Sequence, residues 1–459
     1  MTTVERLSAE DARILGLESG NIRGHVCKAV LVRGELGLGE VREEVERRLP
    51  AAPRLCQRIV PTPLRLAPPA WVDDPAFDLE RHVRAADPPA RTEAELRVLL
   101  TRLVERRLDL MHPPWTLDVT GPLDGGVTAL VFRFHHAMAD GTAAMRLLEA
   151  LLLDRQPGRS GPLPAPAAPA GDGTASTAEL LASGAAWRLG ALGARAEGAI
   201  RTMASPPSWA EAARSAARVP GTLRRELRRS ALRTPIDRPA GPRREVAFAS
   251  CDLADIKRIG GSGQDHATVN DVVLAAVGGA LRPWLERRGA PEQGLRVKVP
   301  VSLHHPDDAA ANRDCFMCVD LPLEQADPRA RLQAIRLETR ERKRDHDAET
   351  LDQFFRDLSH FSSSLERFAE RWAMSPRVFT LSVSNVPGPR EPRWVRGRPL
   401  VELRCLAEIA HHHALRVSVV SAGGRVSFGL CADPEAVDGV DEIARGIELE
   451  LRELADVAR

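Results

Sequence analysis

His135 and His136 close an apolar run, Val131-Phe132-Arg133-Phe134, and three residues later come Asp140 and Gly141. A helix-like spacing of Met145, Leu147, Leu148, Leu151 and Leu152 follows. This pattern predicts a buried strand that delivers an imidazole to a turn, with Asp140 and Gly141 shaping the entry to a helix. A neutral imidazole held at a strand end is a good general base, because its ordinary pKa lies close to neutrality. Adjacent histidines also occur as plain hydrogen-bonding residues, and Asp before a helix is an ordinary N-cap. Taken alone, the segment favours the structural role for His135 and leaves His136 open.

Three other clusters are read as structural. His411, His412 and His413 are neighbours in sequence, so they project differently, and no partner ligands stand at metal spacing. They read as surface or strand-end residues, and no metal is expected. Cys315 and Cys318 have CxxC spacing but lie in an apolar, strand-like run without a second pair, which suits buried packing better than redox chemistry. Gly260-Gly261-Ser262-Gly263 lacks the flanks of a phosphate-binding fingerprint.

Elements able to position the histidines lie on both sides of them. His25 to Val32 and the nearly all-apolar Val127 to Phe134 read as strands, the latter an interior one. Leu38 to Leu49 and Glu93 to Leu108 read as amphipathic helices. The first region extends over residues 1–154. Residues 155–242 begin with a Pro-, Gly- and Ala-rich linker and continue as an Ala/Arg-rich helical connector. Its basic piece, Thr222 to Arg233, suits either an anionic lipid surface or the protein's own flank. In the third region, residues 243–459, strands are expected at Val246–Ser250, Leu295–Val301, Cys315–Leu323 and Val378–Ser384. A hairpin is expected over Leu415–Leu430, and a strong helix over Asn270–Arg288.

The chain has 459 residues, enough for two domains and a connector. Hydrophobic content of 43% and charged content of 28% are ordinary for a globular protein. A formal net charge of +1 gives no pull toward nucleic acid. Seven scattered cysteines predict reduced thiols, and Met1-Thr2-Thr3-Val4-Glu5-Arg6 lacks the apolar core of a signal peptide. No apolar stretch is long enough to cross a bilayer. The expectation is a cytoplasmic protein that at most touches membranes from the side.

The HHxxxDG pattern at 135–141 resembles the signature of the CoA-dependent acyltransferase superfamily. Leu108-Asp109-Leu110-Met111-His112-Pro113-Pro114-Trp115 is similar to the "LDxxxPLW" stretch of the bacterial wax ester synthase/diacylglycerol acyltransferase family. Asn270-Asp271-Val272-Val273-Leu274-Ala275 resembles its "NDVVLA" helix, and Ser384-Asn385-Val386-Pro387-Gly388-Pro389 its "SNVPGP" element. Trp71 to Leu79 with His82 matches another recurring stretch. These resemblances run in order along nearly the whole chain. Departures are Pro114 for the usual Leu, His304 for Arg, Ala311 for Gly, and the absence of tyrosine. They leave the HHxxxDG core intact and bear on the acceptor preference.

The resemblance implies two similar α/β halves of the chloramphenicol acetyltransferase type, each a mixed sheet with helices, with a reaction centre in a tunnel between them. It implies an O-acyltransferase that moves a long-chain acyl group from acyl-CoA, as co-substrate and with no further cofactor, to diacylglycerol or a long-chain alcohol. The product is a triacylglycerol or wax ester, and the partner surface a membrane or lipid body. His136 takes the base role, His135 supports it, and Asp140 holds the loop, in the superfamily commonly through an arginine. Gly141 is expected to supply backbone freedom. Asn270 and Asp271 are read as N-cap and first-turn acid, and Pro113 and Trp115 as framework. Ser382, Ser384 and Asn385 either line the tunnel or form a rigid turn. Two alternatives stay open: an acyltransferase for a specialised hydroxyl or amine acceptor, and a lipid-binding protein with little turnover.

Overall fold

Val127 to His135 is apolar almost without interruption because it is buried on both faces. Leu130, Phe132 and Phe134 enter one core and Ala129 and Val131 another. The strand lies inside a six-stranded sheet ordered β12 (Trp394–Val395), β13 (Arg398–Ala407), β2 (His25–Arg33), β7 (Val127–His135), β6 (Trp115–Leu123) and β5 (Val83–Ala85). A second six-stranded sheet runs β10 (Asp314–Leu321), β9 (Leu295–Ser302), β11 (Leu381–Pro387), β14 (Leu415–Ala422), β15 (Arg425–Ala432) and β8 (Glu245–Asp252). β1 (Glu5–Arg6), β4 (Ala70–Asp73) and β3 (Gln57–Val60) form a small third sheet. Both large sheets are mixed: β5 runs parallel to β6, and β11 parallel to both β9 and β14. The fold is therefore α/β, with two sheet-and-helix halves. This computed structural model describes residues 4–157 except Ser19, then 176–204, 217–226, 234–261, 266–290, 295–302, 314–351, 353–354, 369 and 371–457.

Helices α1 (Ala9–Leu17), α2 (Leu38–Arg48), the one-turn α3 (Leu79–His82), α4 (Glu93–Glu105) and α5 (Gly141–Leu152) surround the first sheet. α2 and α5 cover its Phe132 face and α4 the other. After α6 (Thr177–Ala204) and α7 (Leu253–Gly260), α8 (Val269–Glu286) and α10 (Val440–Val457) pack against the second sheet, beside α9 (Pro328–Arg344). Chain order and sheet membership part company at residue 394. Strands β12 and β13 follow β11 in sequence yet complete the first sheet, with β13 antiparallel to β2. β13 also lies across β15 at Gly429, where any Cβ would overlap the Cys405 carbonyl oxygen.

The linker residues 158–175 lie outside the described residues, as do Ser262, Gly263, His304, Ala311 and Asn312. Of the basic piece, 222–226 is described and faces the protein. Thr222 Oγ1 donates to Asp347 at 2.9 Å, and Glu226 accepts from the Cys318 N–H and from Arg342, both at 2.6 Å. Thr222 and Glu226 are fully buried, and Leu223 packs against the cluster of Phe316 and Phe379, so this stretch turns toward the protein.

Candidate active site

His136 begins where β7 ends. Its N–H donates to the Gly24 carbonyl at 2.9 Å, and the chain then makes one 3-10 turn, His136–Met138. The Ala137 N–H donates to His135 Nδ1 at 3.1 Å. That nitrogen must therefore carry a lone pair, which places the proton of the neutral ring on Nε2. Nε2 faces a Glu18 carboxylate oxygen at 3.2 Å, although the pair is out of line for a good hydrogen bond. His135 is wholly buried, so this setting fixes both its tautomer and its orientation. Gly24 has φ +67°, and a Cβ there would stand 2.8 Å from His135 Nε2. Here glycine answers two demands at once.

His136 itself is partly accessible while its Nδ1 is covered. Burial, then the positive charge of Arg416, pushes its pKa down to about 4, against the pull of Asp140. The ring is neutral at physiological pH and ready to accept a proton. Arg416 belongs to β14, so both halves contribute to the field at this histidine.

Asp140 is the N-cap of α5, accepting from the Ala143 N–H at 2.7 Å. This capping bond ties the loop to the head of the helix. Gly141 has a different reason from the one its sequence suggests. It lacks a positive φ, but a Cβ at that position would come within 2.6 Å of Val386 Cγ2. Gly141 is needed because β11, from the other half, lies against the first turn of α5. Gly141→Ala is expected to cost about 1–3 kcal/mol in thermal stability and to lower activity. Adding Val386→Ala should restore both. If the double variant is as impaired as the single one, this contact is not the reason for glycine.

Asn270 and Asn385, far apart in sequence, meet directly: Asn385 Nδ2 donates to Asn270 Oδ1 at 2.7 Å. Asn385 therefore does not fold back on its own turn, and Asn270 is not the N-cap. Thr268 caps α8, and Asp271 closes the capping box from the third helical position. Asp271 is buried and also accepts from Thr339 Oγ1 at 2.6 Å, a structural part. In β11, Leu381 and Val383 enter the core of the second half while Ser382 and Ser384 take the opposite face. They pair in register with Arg416 and Ser418 of β14. That face carries the polar residues nearest in the sheet to Arg416. The following Gly388 donates to the Ser421 carbonyl at 2.9 Å, which seats the Pro-Gly-Pro turn on β14.

Behind the histidines, Trp115 donates from Nε1 to the Leu55 carbonyl at 2.7 Å and stacks on His82, centroids 4.6 Å apart. His82 donates back to the Trp115 carbonyl at 2.8 Å and stacks on Phe77. His112 meets Asp74 at 3.1 Å, and the His135 N–H donates to the Pro114 carbonyl at 2.9 Å. The stretches at 71–82 and 108–115 are thus one buttress under the end of β7. Pro113 and Trp115 are buried framework residues.

The profile of the wax ester synthase/diacylglycerol acyltransferase catalytic domain matches residues 7–273, and that of the C-terminal domain residues 310–455. The chain belongs to the wax ester synthase/diacylglycerol acyltransferase family. Members of this family are acyl-CoA-dependent O-acyltransferases, and this chain is one. A putative diacylglycerol O-acyltransferase of Mycobacterium tuberculosis is 30% identical, aligned over 99% of this chain and 98% of that protein. A second from that organism is 29% identical over 99% of this chain and 90% of its own length. Among solved structures, the wax ester synthase/diacylglycerol acyltransferase of Marinobacter aquaeolei shares the fold at a TM-score of 0.68, with 22% identity and 99% of each chain covered. The starter condensation domain of rhizomide synthetase, solved with C8-CoA and Leu-SNAC, shares it at 0.59, with 14% identity over 99% of this chain and 94% of that one.

Three residues around the candidate site escape a reading of the sequence: Glu18, Gly24 and Arg416. Only Gly24, standing just before a strand, carries any local signal. The histidine triplet divides between a surface and a strand-end setting just before β14. His411 is exposed, but His413 is buried, stacked on Phe379 at 4.1 Å, with its nitrogens 3.0 and 3.1 Å from the Thr380 and Met374 carbonyls. Burial pushes its pKa down to about 4 although both carbonyls raise it. Cys318 is buried packing, its thiol pushed up to about 12 by burial. Among the described residues no group of three or more acidic, histidine or cysteine side chains is placed to hold a metal.

Proposed function

We propose that His136 is the general base in transfer of a long-chain acyl group from acyl-CoA to diacylglycerol or a long-chain alcohol. The observation that carries this is a neutral, partly accessible imidazole at the meeting point of the two halves, locked by its backbone bond to Gly24. Its nitrogen takes the hydroxyl proton as the alcohol oxygen attacks the thioester carbonyl. The tetrahedral oxyanion then collapses, the carbon–sulfur bond breaks, and the imidazolium returns its proton to the CoA thiolate. Atoms balance without a covalent acyl-enzyme. His135, Asp140 and Gly141 position the base. Ser382 and Ser384 face the reacting groups from β11, where hydroxyl donors suit an oxyanion, while Asn385, on the other face of the strand, holds Asn270 at the head of α8. Long acyl chains bind by burial, at roughly 0.8 kcal/mol per methylene.

We also place the protein at lipid surfaces from the side, because both its acceptors are lipids. Leu64, Met111 and Leu189 are large exposed apolar residues in support of this. No helix among the described residues is long and apolar enough to cross a membrane. Release of free CoA from palmitoyl-CoA, with dioleoylglycerol, hexadecanol or no acceptor, tests the reading. Acceptor-dependent release is expected; release equal with and without acceptor refutes it.

The base sets a pH signature. It works only when neutral, and its folded pKa is about 4, so kcat/KM should stay flat from pH 8 to about 5.5 and fall as His136 protonates below that. In the unfolded chain a histidine takes up its proton near 6.5. Stability is therefore lost as pH falls from there toward 4, and rates are normalised to the folded fraction. A midpoint near 6.5 in the normalised profile would contradict a buried base.

A further inference from the structure

Lys28 is one of only four lysines in the chain. It sits in the middle of β2, 1% exposed, paired in register with Phe132 of β7 on one side and Cys405 of β13 on the other. Its neighbours on that sheet face, Val26, Val30 and Phe134, belong to the apolar core of the first half. The polar contact made by its Nζ is to Cys405 Sγ, at 3.8 Å, and among the described residues no carboxylate pairs with it.

Three other buried cations have oxygen acceptors. Arg133 donates to the Leu103 and Arg106 carbonyls, Arg244 meets Glu408 at 2.7 Å, and Arg331 pairs with Glu450. Burying an ammonium among aliphatic and aromatic side chains is costly unless it is hydrogen-bonded, and a thiol is a weak acceptor. Lys28 is thus a strong donor to which the described residues offer only a weak acceptor.

Its position says what a stronger acceptor would be. Phe132, opposite Lys28, lies four residues before His136, about 13 Å along the strand. The core over this face is completed by Met145 and Leu148 of α5 and by Val420 and Val386 of the second sheet. A fully extended chain advances roughly 1.2 Å per bond, so a thioester carbonyl held at His136 places the Lys28 row about ten carbons along an acyl chain. Resting on the acyl-transfer reading above, we propose that Lys28 recognises an oxygen function in mid-chain. Acyl groups with a hydroxyl or keto oxygen near the tenth carbon are then preferred over plain ones. Hydrogen-bonding sites discriminate strongly against analogues that leave their donor unpaired.

The test compares octadecanoyl-CoA with 10-hydroxyoctadecanoyl-CoA, with hexadecanol as acceptor, on the wild type and Lys28→Met. The wild type is expected to favour the hydroxylated donor by about tenfold or more in kcat/KM, and the variant to lose or reverse that preference. Equal use of both donors by the wild type, or a preference the variant keeps, overturns the proposal while leaving the acyl-transfer reading intact. Failure to transfer either acyl group, or palmitoyl, overturns both. Thermal unfolding without ligand supplies a second readout. Exchange of an unpaired buried ammonium for an apolar side chain of similar length should raise the midpoint by several degrees. A lower midpoint would make Lys28 a structural partner of Cys405 and sink the proposal.

Discussion

His136→Ala is expected to lower kcat by roughly 10²- to 10⁴-fold, the usual worth of a positioned base, with KM for both substrates little changed. The fold should survive, because the residue is partly accessible and its backbone bond to Gly24 remains. A fall in kcat without a change in KM marks a group needed only in the transition state. His135→Ala should behave differently. Removing that wholly buried ring strips Glu18 of its neighbour and the Ala137 N–H of its acceptor. The expected loss is first in stability, by about 1–3 kcal/mol, with activity following. Parallel thermal unfolding and steady-state kinetics separate the two. If His136→Ala retains more than a tenth of wild-type kcat, the base assignment fails.

Gly429→Ala should be the most damaging single methyl group in the protein. The Cβ would overlap the Cys405 carbonyl oxygen and press on Leu406 Cδ2 at 3.1 Å. Backbone cannot swing aside as a long side chain can, so β13 must lift from β15 or both must shift. Overpacking of this kind costs about 1–3 kcal/mol and occasionally more; a loss at or above the upper end is expected here, with activity lost because the halves no longer meet in register. Gly39→Ala is the matched control. It sits in α2 with nothing within 4 Å of its Cβ, and should be neutral or stabilising, since alanine is the better helix former. Equal unfolding midpoints for the two variants would mean that β13 is not seated as described.

Sequence reading succeeds where the signal is local. The apolar run ending in His135, the Asp140 cap and the helix spacing after it all lie within about twenty residues, and strand, turn and helix follow as expected. It fails where the reason for a residue lies in a distant segment. Gly141 looks like a flexible hinge until Val386 is found against it, and Asn385 looks like a turn former until Asn270 is found across from it. Strand β6 is hard to foresee because Gly121-Pro122 reads as a break, whereas the structure absorbs the pair in a register shift between Thr120 and Leu123. Strand β13, a mixture of charged and apolar residues, pairs within the first sheet and also packs across β15 of the second, and so shows no clean alternation. Glu18 and Arg416 have no marker of their own. Each matters only through the histidine beside it.

The passage of β13 into the first sheet has a consequence for how the protein is made. Without β13, strand β2 is an edge, with one row of backbone donors and acceptors unpaired. On the ribosome, β2 and β7 emerge early, but the missing neighbour of β2 appears roughly 370 residues after Arg33. At 5–20 residues per second that is roughly 20–75 s. Through that interval a long apolar edge waits beside the nascent catalytic strand, open to any other strand it meets. Closure of the sheet that ends at His136 therefore waits until β13, at residues 398–407, has been made, and a polypeptide stopped before residue 407 is expected to present an aggregation-prone edge instead of an enzyme.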